Sequence, residues 1–313
     1  MELFLNFIAK LIPIYALIGA GFIIGRKLSV KKEAVSSLLI YLVAPVVIFN
    51  SVYTTKLTKE TLLLPVIFFC LCSGIALTSY FLNSRVKPKK MRGMLAFAAG
   101  SGNTGYFGLP VALALFGEEV IGLVVLCIFG YLVYETTVGF VLIAKGEHGI
   151  KDSLQKLVRL PILYAFVAAV IVQQLGVKLG SVYSDFVPNF RGAYVLLGSL
   201  LVGLALSELT RTHFDVRAIV RSFIPKFIVW PAIVSALIVV DRHYTHFFAQ
   251  THGVYQVAFL MAIVPIAANT VAYASFLKAE PERASLIVFA STIFAIAYIP
   301  LMTSFILPII VPQ

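Results

Sequence analysis

Charge is scarce in this chain. Asp, Glu, Lys and Arg make up 12% of its 313 residues, while 60% are hydrophobic; a soluble domain carries about a quarter charged residues. Acidic residues are scarcest, 14 against 25 Lys and Arg. The shortage excludes an ordinary soluble domain and marks a polytopic membrane protein. There are three cysteines, Cys70, Cys72 and Cys127, all inside apolar runs. They cannot build a secreted disulfide framework. Cys-x-Cys without His or carboxylate nearby is a poor metal site, so they read as packing thiols. The five histidines (His148, His213, His243, His246, His252) fall in loops or at the ends of apolar runs. No His-x-x-x-His pair, Ser-His-Asp set or paired intramembrane carboxylates occur, which argues against a membrane enzyme. The net charge of +11 would suit nucleic acid as a partner. The basic residues instead sit in short loops between apolar runs, the pattern of membrane topology, and no nucleic-acid partner is expected. Glu2 stands where a signal peptide would be basic, and no small-residue cleavage site follows, so the first apolar run is expected to be retained.

Long apolar runs are what the chain has. Segments of about 17–25 apolar residues read as membrane-spanning helices, and ten are predicted: 4–25, 34–53, 62–82, 93–116, 120–144, 160–176, 192–209, 223–241, 254–277 and 284–310. The loops after spans 1, 3, 5, 7 and 9, taken together with Lys226 near the start of span 8, hold 19 of the 25 basic residues; the other side holds only Lys10, Lys56, Lys59, Lys178, Arg191 and Arg242. By the positive-inside rule both termini lie outside the cytoplasm. Pro45, Pro161 and Pro300 read as ordinary kinks, and the glycines of span 1 (Gly19, Gly21, Gly25) and span 7 (Gly192, Gly198, Gly203) as sites of close helix packing.

Two stretches do not suit an unbroken helix: GNTGYFGLP at Gly102–Pro110 in span 4, and VPIAANT at Val264–Thr270 in span 9. Each places an Asn-Thr pair and a proline in mid-span. Non-helical backbone at membrane depth is tolerated only where it lines a cavity or is buried in protein. Asn103-Thr104 and Asn269-Thr270 occupy corresponding spans five apart. Because five is odd, the second half runs the opposite way, which predicts an inverted 5+5 repeat: residues 1–150 for the first half and 151–313 for the second. At 1.5 Å per residue both asparagines lie roughly 13–15 Å from the cytoplasmic ends of their spans, near the midplane. Paired broken helices of this kind mark the substrate site of secondary transporters. The half-helix starts suit an anion and the ends suit Na⁺ or H⁺. The expected substrate-binding residues are therefore Asn103, Thr104, Gly105, Asn269 and Thr270, with Gly102, Pro110 and Pro265 breaking the helices.

Glu135, in the sequence Tyr134-Glu-Thr-Thr, is the one acidic residue read as lying well inside a span. It lies roughly 13 Å from the cytoplasmic end of span 5. A carboxylate there is a functional candidate by default. Glu135 with Thr136 is the expected coupling site for H⁺ or Na⁺; no other cofactor is expected. The alternative is a carboxyl held by a neighbouring helix for structure.

The segment MLAFAAGSGNTGYFGLPVALALFGEE, Met94–Glu119, resembles span 4 of the auxin efflux carrier family, and AFLMAIVPIAANTVAYASFLKAEPERAS, Ala258–Ser285, resembles its span 9. The resemblance covers essentially the whole chain. It implies a fold related to the bile-acid sodium symporters, with spans 1, 2, 6 and 7 as scaffold and spans 3–5 and 8–10 as a mobile transport domain. It further implies a homodimer through the scaffold and an elevator movement. The plant carriers have proline before the crossing asparagine, where this chain has Gly102, and a long central loop, where this chain has about 15 residues at 145–159. The chain therefore resembles the prokaryotic branch, which implies the bacterial inner membrane and carboxylates such as malate and malonate rather than auxin. The function expected is secondary transport of a small organic anion. A membrane receptor that binds a ligand without moving it is the alternative.

Overall fold

Backbone polar groups in a bilayer must be satisfied within the chain, and a helix does this locally. The computed structural model describes residues 2–28, 30–144, 158–208 and 215–311, and among these all regular structure is helical. In chain order the helices are α1 (Glu2–Leu28), α2 (Lys32–Thr54), α3 (Lys59–Leu82), α4 (Lys89–Gly100), α5 (Leu109–Phe116), α6 (Ile121–Ala144), α7 (Pro161–Gln174), α8 (Ser181–Ser207), α9 (Val216–Thr245), α10 (Val254–Ile263), α11 (Asn269–Phe276) and α12 (Pro281–Ile310). Local chemistry explains several ends. At α3, the Thr58 hydroxyl accepts from the Thr61 amide (3.3 Å) while the Thr61 hydroxyl accepts from the Thr58 amide (2.9 Å), a reciprocal cap. At α9, the Asp215 carboxylate accepts from the Ala218 amide at 3.0 Å.

Seven of these helices are long and apolar enough to cross a membrane: α1, α2, α3, α6, α8, α9 and α12. The other three predicted spans are made of shorter helices. Spans 4 and 9 are each divided in two, and span 6 is the 14-residue α7. Pro161 opens α7 at its first turn, where its missing N–H has no helical partner to lose; it is a helix start and not the kink expected. α8 begins at Ser181 and not near 192, which takes Arg191 and Pro188 into the helix. α9 begins at Val216 and not at 223, because amphipathic Val216–Phe223, with Arg217 and Arg221, continues the apolar helix at its polar end. Lys226, within predicted span 8 but counted by its charge with the loop before it, lies inside α9 and is fully buried. Lys145, Lys151, Lys156, Arg211, His148, His213 and the boundary between residues 150 and 151 lie outside the described residues.

Without a hydrophobic drive between helices in lipid, close backbone approach at small residues carries much of the packing. α1 lies along α8 in this way. A Cβ on Gly21 would come 2.3 Å from the Leu200 carbonyl oxygen, and one on Gly203 would come 2.0 Å from that of Ile18. Gly130 of α6 meets the Pro65 carbonyl of α3, and Gly93 of α4 meets the Leu142 carbonyl of α6. Gly19 and Gly192 have open space, so they play no part in this contact. Gly203→Ala is expected to lower stability by about 1–3 kcal/mol, since backbone cannot yield as a side-chain tip can. Gly19→Ala, which meets nothing, should be neutral or stabilising by up to about 1 kcal/mol through helix propensity. Thermal unfolding of the two variants in one detergent checks both signs.

The buried side chains form one large cluster running through the molecule. A smaller one, built around Met94, Phe97, Phe140, Ile143 and Ile287, packs α4, α6, α11 and α12 together. Large apolar side chains such as Phe81, Leu82 and Leu175 point outward, where a bilayer would solvate them.

Candidate functional site

α4 stops at Gly100, and the chain runs extended through Ser101 (φ −89°, ψ 162°). It re-enters helix through a wide turn at Thr104–Gly108, in which the Gly108 amide reaches back five residues to the Asn103 carbonyl at 2.9 Å. Pro110 follows at the start of α5. It has no N–H to give, and its ring crowds the preceding turn, so the turn opens. On the other side α10 stops at Ile263, Val264 is extended (φ −61°, ψ 154°), and α11 begins at Asn269. The two breaks touch. The Asn103 amide donates to the Pro265 carbonyl at 2.8 Å, and the hydroxyls of Ser101 and Thr270 lie 3.3 Å apart.

Ending a helix in an apolar interior leaves carbonyls without partners, and here side chains of other helices take them. Tyr134 donates its hydroxyl to the Phe97 carbonyl (3.1 Å), Trp230 its indole N–H to Ala99 (2.8 Å), and Lys226 its ammonium to Ser101 (3.0 Å). Tyr131 donates to Met261 at the end of α10 (2.9 Å). Tyr131 and Trp230 stack with centroids 5.6 Å apart. The Ile266 amide donates to the Ser291 hydroxyl of α12 at 3.2 Å. These partners satisfy the carbonyls of Phe97, Ala99, Ser101 and Met261 and the amide of Ile266.

A cavity of about 400 Å³ lies against the breaks, lined by Gly102, Asn103, Thr104, Gly105, Tyr131, Glu135, Thr136, Tyr194 and Asn269 among others. That is the size of a small-molecule site. Asn103 is buried and Asn269 is exposed toward the cavity. The Asn269 carboxamide donates to the Glu135 carboxylate at 2.8 Å, so one break holds the intramembrane acid directly. Thr136 lines the cavity, but its hydroxyl donates to the Leu132 carbonyl of its own helix (2.8 Å). Of the remaining sequence-predicted residues, Thr270 is buried with its hydroxyl toward Ser101, and Pro265 and Pro110 shape the backbone. A neighbouring cavity of about 490 Å³ shares Asn103, Tyr106 and Asn269 and is lined also by Lys32, Glu33, Glu208 and Ser285, so the breaks are reached from the helix ends rich in Lys and Arg. At the opposite end, Arg191 of α8 pairs with Glu118 after α5, and Lys10 of α1 donates to the Leu115 carbonyl at 3.4 Å.

Sequence reasoning read Glu135 as the one acidic residue well inside a span; Lys226, a fully buried cation inside α9, was missed, as were Tyr131 and Trp230. The available signal was the spacing in IPKFIVWP: a lysine in an apolar stretch, one helical turn before the chain's single tryptophan.

A family model described as a membrane transport protein matches residues 6–303. The chain is also similar to an uncharacterized transporter of Methanocaldococcus jannaschii, MJ1031, with 28% identity over 218 residues, covering 66% of this chain and 69% of the relative.

Proposed function

Because the chain belongs to the membrane transport protein family, that of the auxin efflux carriers, we propose that it is a secondary active transporter for a small organic anion, a carboxylate, working by an elevator movement. The family is one of transporters and not of enzymes. The observation that carries the reading is the meeting of the two interrupted helices, Asn103 hydrogen-bonded to Pro265 across the breaks, beside a cavity that exposes Asn269 and the amide-rich starts of two half-helices. Helix starts and carboxamides together offer donors to a carboxylate, and such sites at broken helices serve transport.

In this reading α1, α2, α7 and α8 form the scaffold and the dimer contact, and the remaining helices form the moving body. The two halves of the chain are inverted repeats in the bacterial inner membrane, with both termini outside the cytoplasm. The cavity's approach from the basic ends, with the Arg191–Glu118 and Lys10–Leu115 contacts at the other, then corresponds to a conformation open to the cytoplasm. Thr104, Gly105 and Thr270 assist the asparagines, and Glu135 with Thr136 forms the coupling site for H⁺ or Na⁺.

The test is uptake into proteoliposomes, with candidate carboxylates first screened by thermal shift of the purified protein. Saturable uptake of an unmodified carboxylate is the expected result. Binding without uptake would overturn transport and establish a receptor.

A further inference from the structure

Lys226 is fully buried ten residues into α9. Its ammonium lies 3.0 Å from the Ser101 carbonyl, 5.2 Å from the centroid of Trp230 and 5.8 Å from that of Tyr131. It sits against the break itself, since a Cβ on Gly102 would come within 3.0 Å of it. A charge at this depth is costly, and satisfying one carbonyl does not require it: the neutral indole of Trp230 does the same for Ala99. What a charge adds is a cation at the carbonyl end of a half-helix, where the backbone carries partial negative charge. Unwound carbonyls and half-helix ends are where broken-helix carriers coordinate Na⁺. The aromatic faces of Trp230 and Tyr131 complete an electron-rich surround for an ammonium. Glu135, one turn beyond Tyr131 on α6, supplies an opposite charge within electrostatic reach.

We propose that Lys226 is a tethered cation: its ammonium fills the cation position of the crossing, so this chain takes no Na⁺ there, and the proton at Glu135 is the ion left to exchange. The consequence for coupling rests on the transporter reading, while occupancy of the cation position does not.

The test therefore begins without substrate. Thermal stability of the purified protein is measured with Na⁺ replaced by K⁺ or N-methylglucamine at constant ionic strength. The wild type should show no Na⁺-specific stabilisation. Lys226→Ala, which empties the position, should gain stabilisation by Na⁺ or methylammonium. Lys226→Met, which fills the space without charge, should gain none. Binding of a carboxylate found in the screen should fall roughly tenfold or more in Lys226→Met, as expected when one member of a buried charge set is removed. In Lys226→Ala, methylammonium should restore it. Na⁺-specific stabilisation of the wild type overturns the proposal, as does Lys226→Met binding carboxylate at wild-type strength. So does a folded Lys226→Ala indifferent to both cations. If Lys226→Ala does not fold, the wild type and Lys226→Met decide. A wild type that moves no carboxylate sinks the transporter reading but leaves the cation measurement intact.

Discussion

Asn103→Ala and Asn269→Ala are each expected to weaken carboxylate binding by about 1–3 kcal/mol, the usual cost of leaving buried polar groups unpaired, which is roughly 5- to 150-fold in Kd. The larger loss should fall on Asn269→Ala. Its carboxamide is exposed to the cavity and already donates to Glu135 at 2.8 Å, so its removal strips the substrate of a donor and leaves the acid bare toward an incoming anion. The Asn103 side chain is buried, and the backbone link from its amide to Pro265 survives truncation, so the crossing should stay folded. Asn269→Asp should be worse than alanine, because a second carboxylate beside Glu135 repels both its neighbour and the substrate. Calorimetric titration of each folded variant checks the series. Wild-type affinity in both alanine variants would remove the asparagines from the site.

The second large effect is expected at Glu135. If one proton moves with each substrate through this carboxyl, a gradient of one pH unit, worth about 1.36 kcal/mol, supports a roughly tenfold substrate ratio across the membrane, and two units roughly a hundredfold. Glu135→Gln keeps the shape and can still accept from Asn269 through its amide oxygen, so binding should change by only a few-fold. The variant should equilibrate substrate but build no ratio, because no proton exchanges. Counterflow in proteoliposomes measures the equilibration, and net accumulation under an imposed pH gradient measures the coupling. Wild-type accumulation by Glu135→Gln would make the residue structural, a partner for Asn269 and nothing more.

Much of this architecture was legible in the chain because it follows from local rules. Apolar runs of bilayer length become helices whatever they pack against. Gly102 and Pro110, and Pro265 with its neighbours, interrupt helices because glycine and proline act on their own turn of backbone. Glu135 drew notice because an acid in a long apolar run is conspicuous without any coordinates. The start of α8 was misplaced for the converse reason: Arg191 looks like a loop residue until Glu118, 73 positions earlier, is found beside it.

By itself, then, the sequence determined the membrane class, the helical segments and the two places where helices break, since hydrophobic length and backbone chemistry decide these residue by residue. Tertiary structure alone decided what fills the space around the breaks. Tyr134 and Trp230 reach the carbonyls of α4, Tyr131 reaches the end of α10, and Asn269 meets Glu135, because helices distant in sequence share one interior. Lys226 shows the difference most clearly. Its charge predicts water, and it is buried because α9 packs that face against the end of α4. There the Ser101 carbonyl and the faces of Tyr131 and Trp230 can offset the loss of solvent. No local pattern encodes that environment, which exists only once the helices are assembled.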